Sequence, residues 1–131
     1  MHISAELQTF AEHSTQAWGT REGANVAAFY SPQGNWSVNG GPPASSRPAI
    51  TEVEQGFMRD FPDLQIFMDG LSVANEKICY RWTLTGTYRE TGKSVRISGR
   101  ELWRIGSDGL IAESQGHFDA AEYERQIQRK A

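Results

Sequence analysis

Ser94-Val95-Arg96-Ile97-Ser98-Gly99-Arg100-Glu101-Leu102-Trp103-Arg104-Ile105 is the stretch from which the fold of this chain can be read. Its odd positions, Val95, Ile97, Gly99, Glu101, Trp103 and Ile105, are apolar except for one carboxylate, and its even positions carry Arg96, Ser98, Arg100 and Arg104 around Leu102. A period of two marks a strand with one buried face. The same period holds from Leu64 onward, and turn residues interrupt it at Asn75, at Glu90 to Lys93 and at Gly106 to Gly109. Four long strands are therefore predicted, over 64–74, 77–89, 94–105 and 110–118.

Upstream of Leu64 the apolar period is that of a helix. Leu7, Phe10, Ala11, Ser14 and Trp18 form one stripe after Ser4, a good N-cap, and before Gly19, which predicts a helix over 5–18. A shorter apolar segment, Val26, Ala27, Phe29 and Tyr30, reads as a second helix ending before Pro32. Ser46 and Pro48 open a third, over 47–60, whose stripe is Ile50, Val53, Phe57, Met58 and Phe61, closed by Pro62. A short strand around Trp36 to Asn39 joins the sheet, Gly40 to Pro43 is loop, and Asp119 with Glu122 has the spacing of a capping box for a last helix through Ile127. Helices followed by an antiparallel meander make the class α+β.

The 131 residues suit one domain, 1–131. With 38% hydrophobic and 11% aromatic residues the chain is too apolar for disorder, and a net charge of −3 leaves no basic footprint for nucleic acid or an anionic membrane. No apolar run approaches the ~20 residues of a membrane span, and no leader is visible, so a cytoplasmic location is expected. Cys79 is the only cysteine, which excludes an internal disulfide and a cysteine-based metal site; a small packed thiol is the expected role. Nucleotide-binding, zinc-protease, EF-hand and serine-hydrolase motifs are all missing, so neither a cofactor nor a metal is expected.

Glu101 is the residue that points to chemistry. A carboxylate in an apolar row needs a cationic or hydrogen-bonding partner, or a raised pKa. It is either a satisfied buried ion pair or a ligand-facing acid or base. Arg81 is the only long cation in its row of the preceding strand and is the natural counterpart if the two rows share a face. In the last strand Ser114 and Gly116 alternate with Gln115 and His117, and either pair can line a cavity; His117, near a strand end, is the secondary candidate for proton transfer. His2 and His13 receive no role. The row Tyr80, Trp82 and Leu84 would leave aromatic surface in water, which predicts a homodimer through that face.

Phe61-Pro62-Asp63-Leu64, Arg81-Trp82-Thr83-Leu84-Thr85-Gly86-Thr87, and Asp108-Gly109-Leu110-Ile111 followed by Gly116-His117-Phe118-Asp119 and Arg125-Gln126 together resemble a SnoaL-like member of the nuclear transport factor 2-like superfamily. The resemblance implies a cone: a curved antiparallel sheet wrapped round a pocket that the N-terminal helices close, usually in a homodimer. It implies a cavity face of Arg81, Thr83, Glu101, Trp103, Ser114 and Gly116, floored by Trp36 and Trp103 with Val38 nearby. Polyketide cyclases of this type keep an aspartate and a histidine where this chain has Gly116 and Glu101. Relatives of limonene-epoxide hydrolase keep a set of which only Arg81 is present, with Thr83, Gly116, Trp36 and Val38 at the other positions. Neither mechanism transfers.

Two functions follow as expectations. One is a cofactor-independent acid–base enzyme of cyclase, isomerase or lyase type acting on a small hydrophobic carbonyl or polycyclic compound, with Glu101 accepting a proton and Arg81 stabilising the enolate. The other is a non-catalytic ligand-binding or assembly module in which the two charges neutralise one another.

Overall fold

The computed structural model describes residues 3–128. His2 lies outside them. The elements are α1 (Ala5–Trp18), α2 (Gly23–Ala27), β1 (Tyr30–Val38), β2 (Ala44–Ser45), α3 (Arg47–Asp60), β3 (Gln65–Ala74), β4 (Lys77–Thr87), β5 (Ser94–Ile105), β6 (Ile111–Phe118) and α4 (Ala120–Ile127). The caps are those the sequence announces: Ser4 accepts a hydrogen bond from the Leu7 amide, Ser46 from Ala49, and Asp119 from Glu122. Only half of the last capping box forms, because the Glu122 carboxylate is taken by Arg125 and Gln126.

The six strands form one sheet in the order β2-β1-β6-β5-β4-β3. β3 to β6 are the antiparallel meander, whereas β1 runs parallel to β6, pairing Trp36 with Ser114 and Val38 with Gly116. Segment 30–38 corrects the sequence reading: the second helix stops at Ala27, and the strand begins at Tyr30 rather than near Trp36. Pro32 is tolerated because it falls in the irregular stretch between the Tyr30 and Asn35 pairings, where no ladder bond is lost.

One face of the sheet packs under the helices. Tyr80 and Trp103 stack at 4.7 Å with their planes 18° apart, and Phe10 of α1 meets Trp103 edge-on at 5.9 Å. Each such aromatic contributes about 1.5–3 kcal/mol by leaving water, and the stack somewhat more. A second cluster joins Phe61 and Leu64 to Leu84, Val95 and Ile97. The row Tyr80, Trp82 and Leu84 is thus interior, with Tyr80 and Leu84 buried by the chain's own elements. This corrects the expectation that it forms a dimer face: there is no aromatic row in water for a second copy to cover. Among the described residues no helix is long and apolar enough to cross a membrane.

Candidate functional site

Glu101 projects from β5 into a cavity of about 80 Å³ between the sheet and all four helices. Three donors hold its carboxylate. The Trp36 indole donates to Oε1 at 3.0 Å, the Ser114 hydroxyl to the same oxygen at 2.6 Å, and the Trp82 indole to Oε2 at 3.2 Å. They come from β1, β6 and β4, so the clamp exists only when four strands are in register. Two glycines make room for it. A Cβ on Gly99 would lie 2.6 Å from the Trp82 ring, and one on Gly116 would lie 2.5 Å from Glu101 Oε2. Trp82 crosses β5 at the first, and the Glu101 carboxylate lies over the second.

Burial pushes the Glu101 pKa up and the three hydrogen bonds pull it down; burial wins, and it reaches about 7. At neutral pH Glu101 is thus poised between its two forms.

A second carboxyl, unforeseen from the sequence, shares the cavity. Glu54 of α3 is only 1% exposed, and its Oε1 has no hydrogen-bond partner among the described residues. Desolvation, and then the nearby charge of Glu101, raise its pKa to about 9, so it is a neutral acid at pH 7. The signal was in the helix period: Glu54 lies four residues after Ile50 and four before Met58, both buried, whereas Val53, assigned to that stripe, is 38% exposed. Tyr30 also lines the cavity; burial, and then the charges of Glu101 and Glu54, raise its pKa well above the ordinary phenol value.

Trp36, Val38 and Trp103 line the cavity as expected, and Ser114 is buried against Glu101. Gly116 sits beneath the Glu101 carboxylate, which occupies the space a side chain there would take. Arg81 and Thr83 lie elsewhere. Arg81 pairs across β4 and β5 with Arg100, not with Glu101, and its guanidinium lies over Gly70 on the outer face. Thr83 bonds Asp69 and Ser98 on that same face. The cause is register: each β4–β5 pair joins an even-numbered to an odd-numbered residue, so Glu101 shares its face with Tyr80 and Trp82. His117 pairs with Arg100 outside, which leaves Ser114 and Gly116 on the cavity side. Cys79 is half-buried in the outer row.

Among the described residues no Lys, Arg or His lines the cavity, and no group of three His, Cys, Asp or Glu side chains is placed to hold a metal ion.

A family model described as a SnoaL-like domain matches residues 11–114. The chain belongs to this family. No curated protein sequence matches it. The SnoaL-like chain is similar in structure to a protein of the SnoaL-like polyketide cyclase type from Jannaschia sp. CCS1, with TM-score 0.81, 14% identity, and coverage of 100% of this chain and 99% of that one. It is similar to a nuclear transport factor 2-like protein from Burkholderia pseudomallei K96243 (TM-score 0.81, 20% identity, coverage 97% and 100%). A third similar structure is a protein of ketosteroid isomerase-like fold from Catenulispora acidiphila in complex with trimethylamine (TM-score 0.80, 11% identity, coverage 90% and 91%). At these identities the likeness is one of fold: helices packed over one face of a curved six-stranded sheet.

Proposed function

We propose that this SnoaL-like chain is a cofactor-independent acid–base enzyme in which Glu101 removes a proton from a carbon next to a carbonyl group in a small apolar substrate. The observation that carries this reading is the Glu101 carboxylate itself, held by three donors inside an otherwise apolar and aromatic cavity. An ion pair with Arg81 would have favoured the non-catalytic module, because it would keep Glu101 ionised and unreactive. Arg81 is on the other face, and a pKa of about 7 favours the base. The aromatic walls suit the flat body of an enolising ketone or its enol.

The cavity volume supports a small substrate over a polycyclic one, since about 80 Å³ is well under the roughly 300–1,000 Å³ of sites for drug-sized ligands. That the Catenulispora protein holds trimethylamine fits a fold whose pockets take small molecules.

The test is exchange of α-protons of cyclohexanone and acetophenone in D₂O, followed by proton NMR. The protein is expected to accelerate exchange, and Glu101→Gln to reduce it by about 10²-fold or more while affinity stays within roughly tenfold. Exchange at an unchanged rate in Glu101→Gln would overturn the reading.

A further inference from the structure

Removing a proton from carbon leaves negative charge on the carbonyl oxygen. In water that oxygen is solvated; in this cavity it is enclosed by aromatic and aliphatic side chains, where an unpaired anion is far costlier. Arg81 stands on the outer face and cannot reach it, and among the described residues no other cation lines the cavity. Neutralisation must therefore come from a proton donor.

The donors already committed can be set aside. The Trp36 and Trp82 indoles and the Ser114 hydroxyl are spent on Glu101. Ser114 also lies beside the Tyr30 phenol, and the Tyr80 hydroxyl is bonded to Thr15. Tyr123 lines the cavity from α4, against Phe61 and Phe118. What stands out is Glu54, whose side chain is almost wholly buried, borders the same cavity and has one oxygen without a partner among the described residues. A buried polar atom left unsatisfied costs roughly 1–3 kcal/mol, and replacing Glu54 by an apolar residue of similar size would remove that cost. No packing role requires a carboxyl there.

We infer that Glu54 is a second catalytic residue, the acid that donates its proton to the substrate's carbonyl oxygen while Glu101 takes one from the adjacent carbon. The inference rests on the acid–base reading above and narrows the substrate to an uncharged compound with an acceptor oxygen. The step balances without a co-reactant. The C–H bond breaks and its electron pair becomes the C=C bond of the enol. The carbonyl π pair takes the Glu54 proton as the new O–H bond, Glu101 gains the carbon's proton, and Glu54 is left ionised. Reprotonation of carbon by Glu101, at the same or the conjugated position, with return of the enol proton to Glu54, restores both groups. The net reaction is α-exchange or a double-bond shift. A carboxylate substrate is refused, because its charge would meet the ionised Glu101 with no cation among the described lining residues.

Two variants and two readouts test this. Glu54→Leu removes the donor, and Glu54→Gln keeps a hydrogen-bond donor but has no proton to transfer. In the α-proton exchange assay with cyclohexanone, Glu54→Leu is expected to lose about 10²-fold and Glu54→Gln about tenfold, with both folded and at least as heat-stable as the parent at pH 8. In the infrared spectrum of bound cyclohexanone, the carbonyl stretch is expected to be shifted down in the parent and in Glu101→Gln, and to return toward its value in apolar solvent in Glu54→Leu. A merely structural carboxyl would move neither readout. Exchange lost in Glu101→Gln but unchanged in Glu54→Leu, or a carbonyl stretch indifferent to Glu54, overturns the role of Glu54 alone. Exchange unchanged in both variants overturns the acid–base reading and this inference together.

Discussion

The two faces of β4 and β5 are built from the same strands, yet they treat charge in opposite ways. The outer face carries Arg81, Arg96, Arg100 and Arg104, all solvated, and its one ion pair among the described residues joins Arg104 to Glu113 at 3.6 Å. The inner face carries Glu101 with no cation among the described residues beside it and faces a second carboxyl, Glu54. Glutamates shift accordingly. On the exposed surface Glu122, bonded first by Arg125 and then by Gln126, falls to about 2, whereas burial raises Glu101 to about 7 and Glu54 to about 9. One residue type spans the range from permanent anion to neutral acid within one small chain, and burial on one side and hydrogen-bonding partners on the other decide which.

Among single substitutions, the largest effect on stability is expected from disturbing the inner clamp. Gly116→Ala puts a methyl group where the Glu101 carboxylate lies, and the displaced carboxylate must leave at least one of its three donors. Urea unfolding should show a loss of about 1–3 kcal/mol, and the same variant should slow α-proton exchange. A variant as stable as the parent would mean that the clamp contributes nothing.

The next concerns pH. Because Glu54 and Glu101 have folded pKa values above the 4.5 of a free glutamate, the folded protein holds protons that the unfolded chain has released. Their contribution to stability is fully present below pH 4.5 and is lost as pH rises through about 7 and then about 9. Thermal melts should decline across that window, at up to about 1.4 kcal/mol per pH unit for Glu54. Glu54→Gln should flatten the decline, and an equally steep decline in that variant would remove Glu54 from the account.

Outer-face changes should do least. Arg81→Gln should leave α-proton exchange within about twofold of the parent, since the guanidinium is across the sheet from the cavity. Arg125→Ala breaks an exposed pair and should not move the melting temperature measurably. A large loss of exchange in Arg81→Gln would place Arg81 back in the site and undo the contrast between the faces.

Much of this architecture is local and so could be read from the chain. Ser4 with Gly19 bounds α1, and Ser46, Pro48 and Pro62 bound α3. Parity within β5 put Glu101 among Val95, Ile97 and Trp103 on one face, because side chains alternate regardless of what the strand pairs with. Glu54 was legible too, from the Ile50 to Met58 spacing, but Val53 competed for the same stripe and only packing shows which of the two is inside.

By itself, then, the sequence determined the element types, most of their ends, and that a carboxylate sits in an apolar row. It did not determine which rows meet. Parity is known only strand by strand, and whether Glu101 faces Arg81 or Tyr80 depends on the register set by the turn after Tyr88, where a slip of one residue would exchange the faces. Tertiary structure alone brought Trp36, Trp82 and Ser114 from three strands onto one carboxylate and set Glu54 beside it. It also removed water from both, and that desolvation, which no pattern along the chain encodes, separates their acidities from those of ordinary surface glutamates.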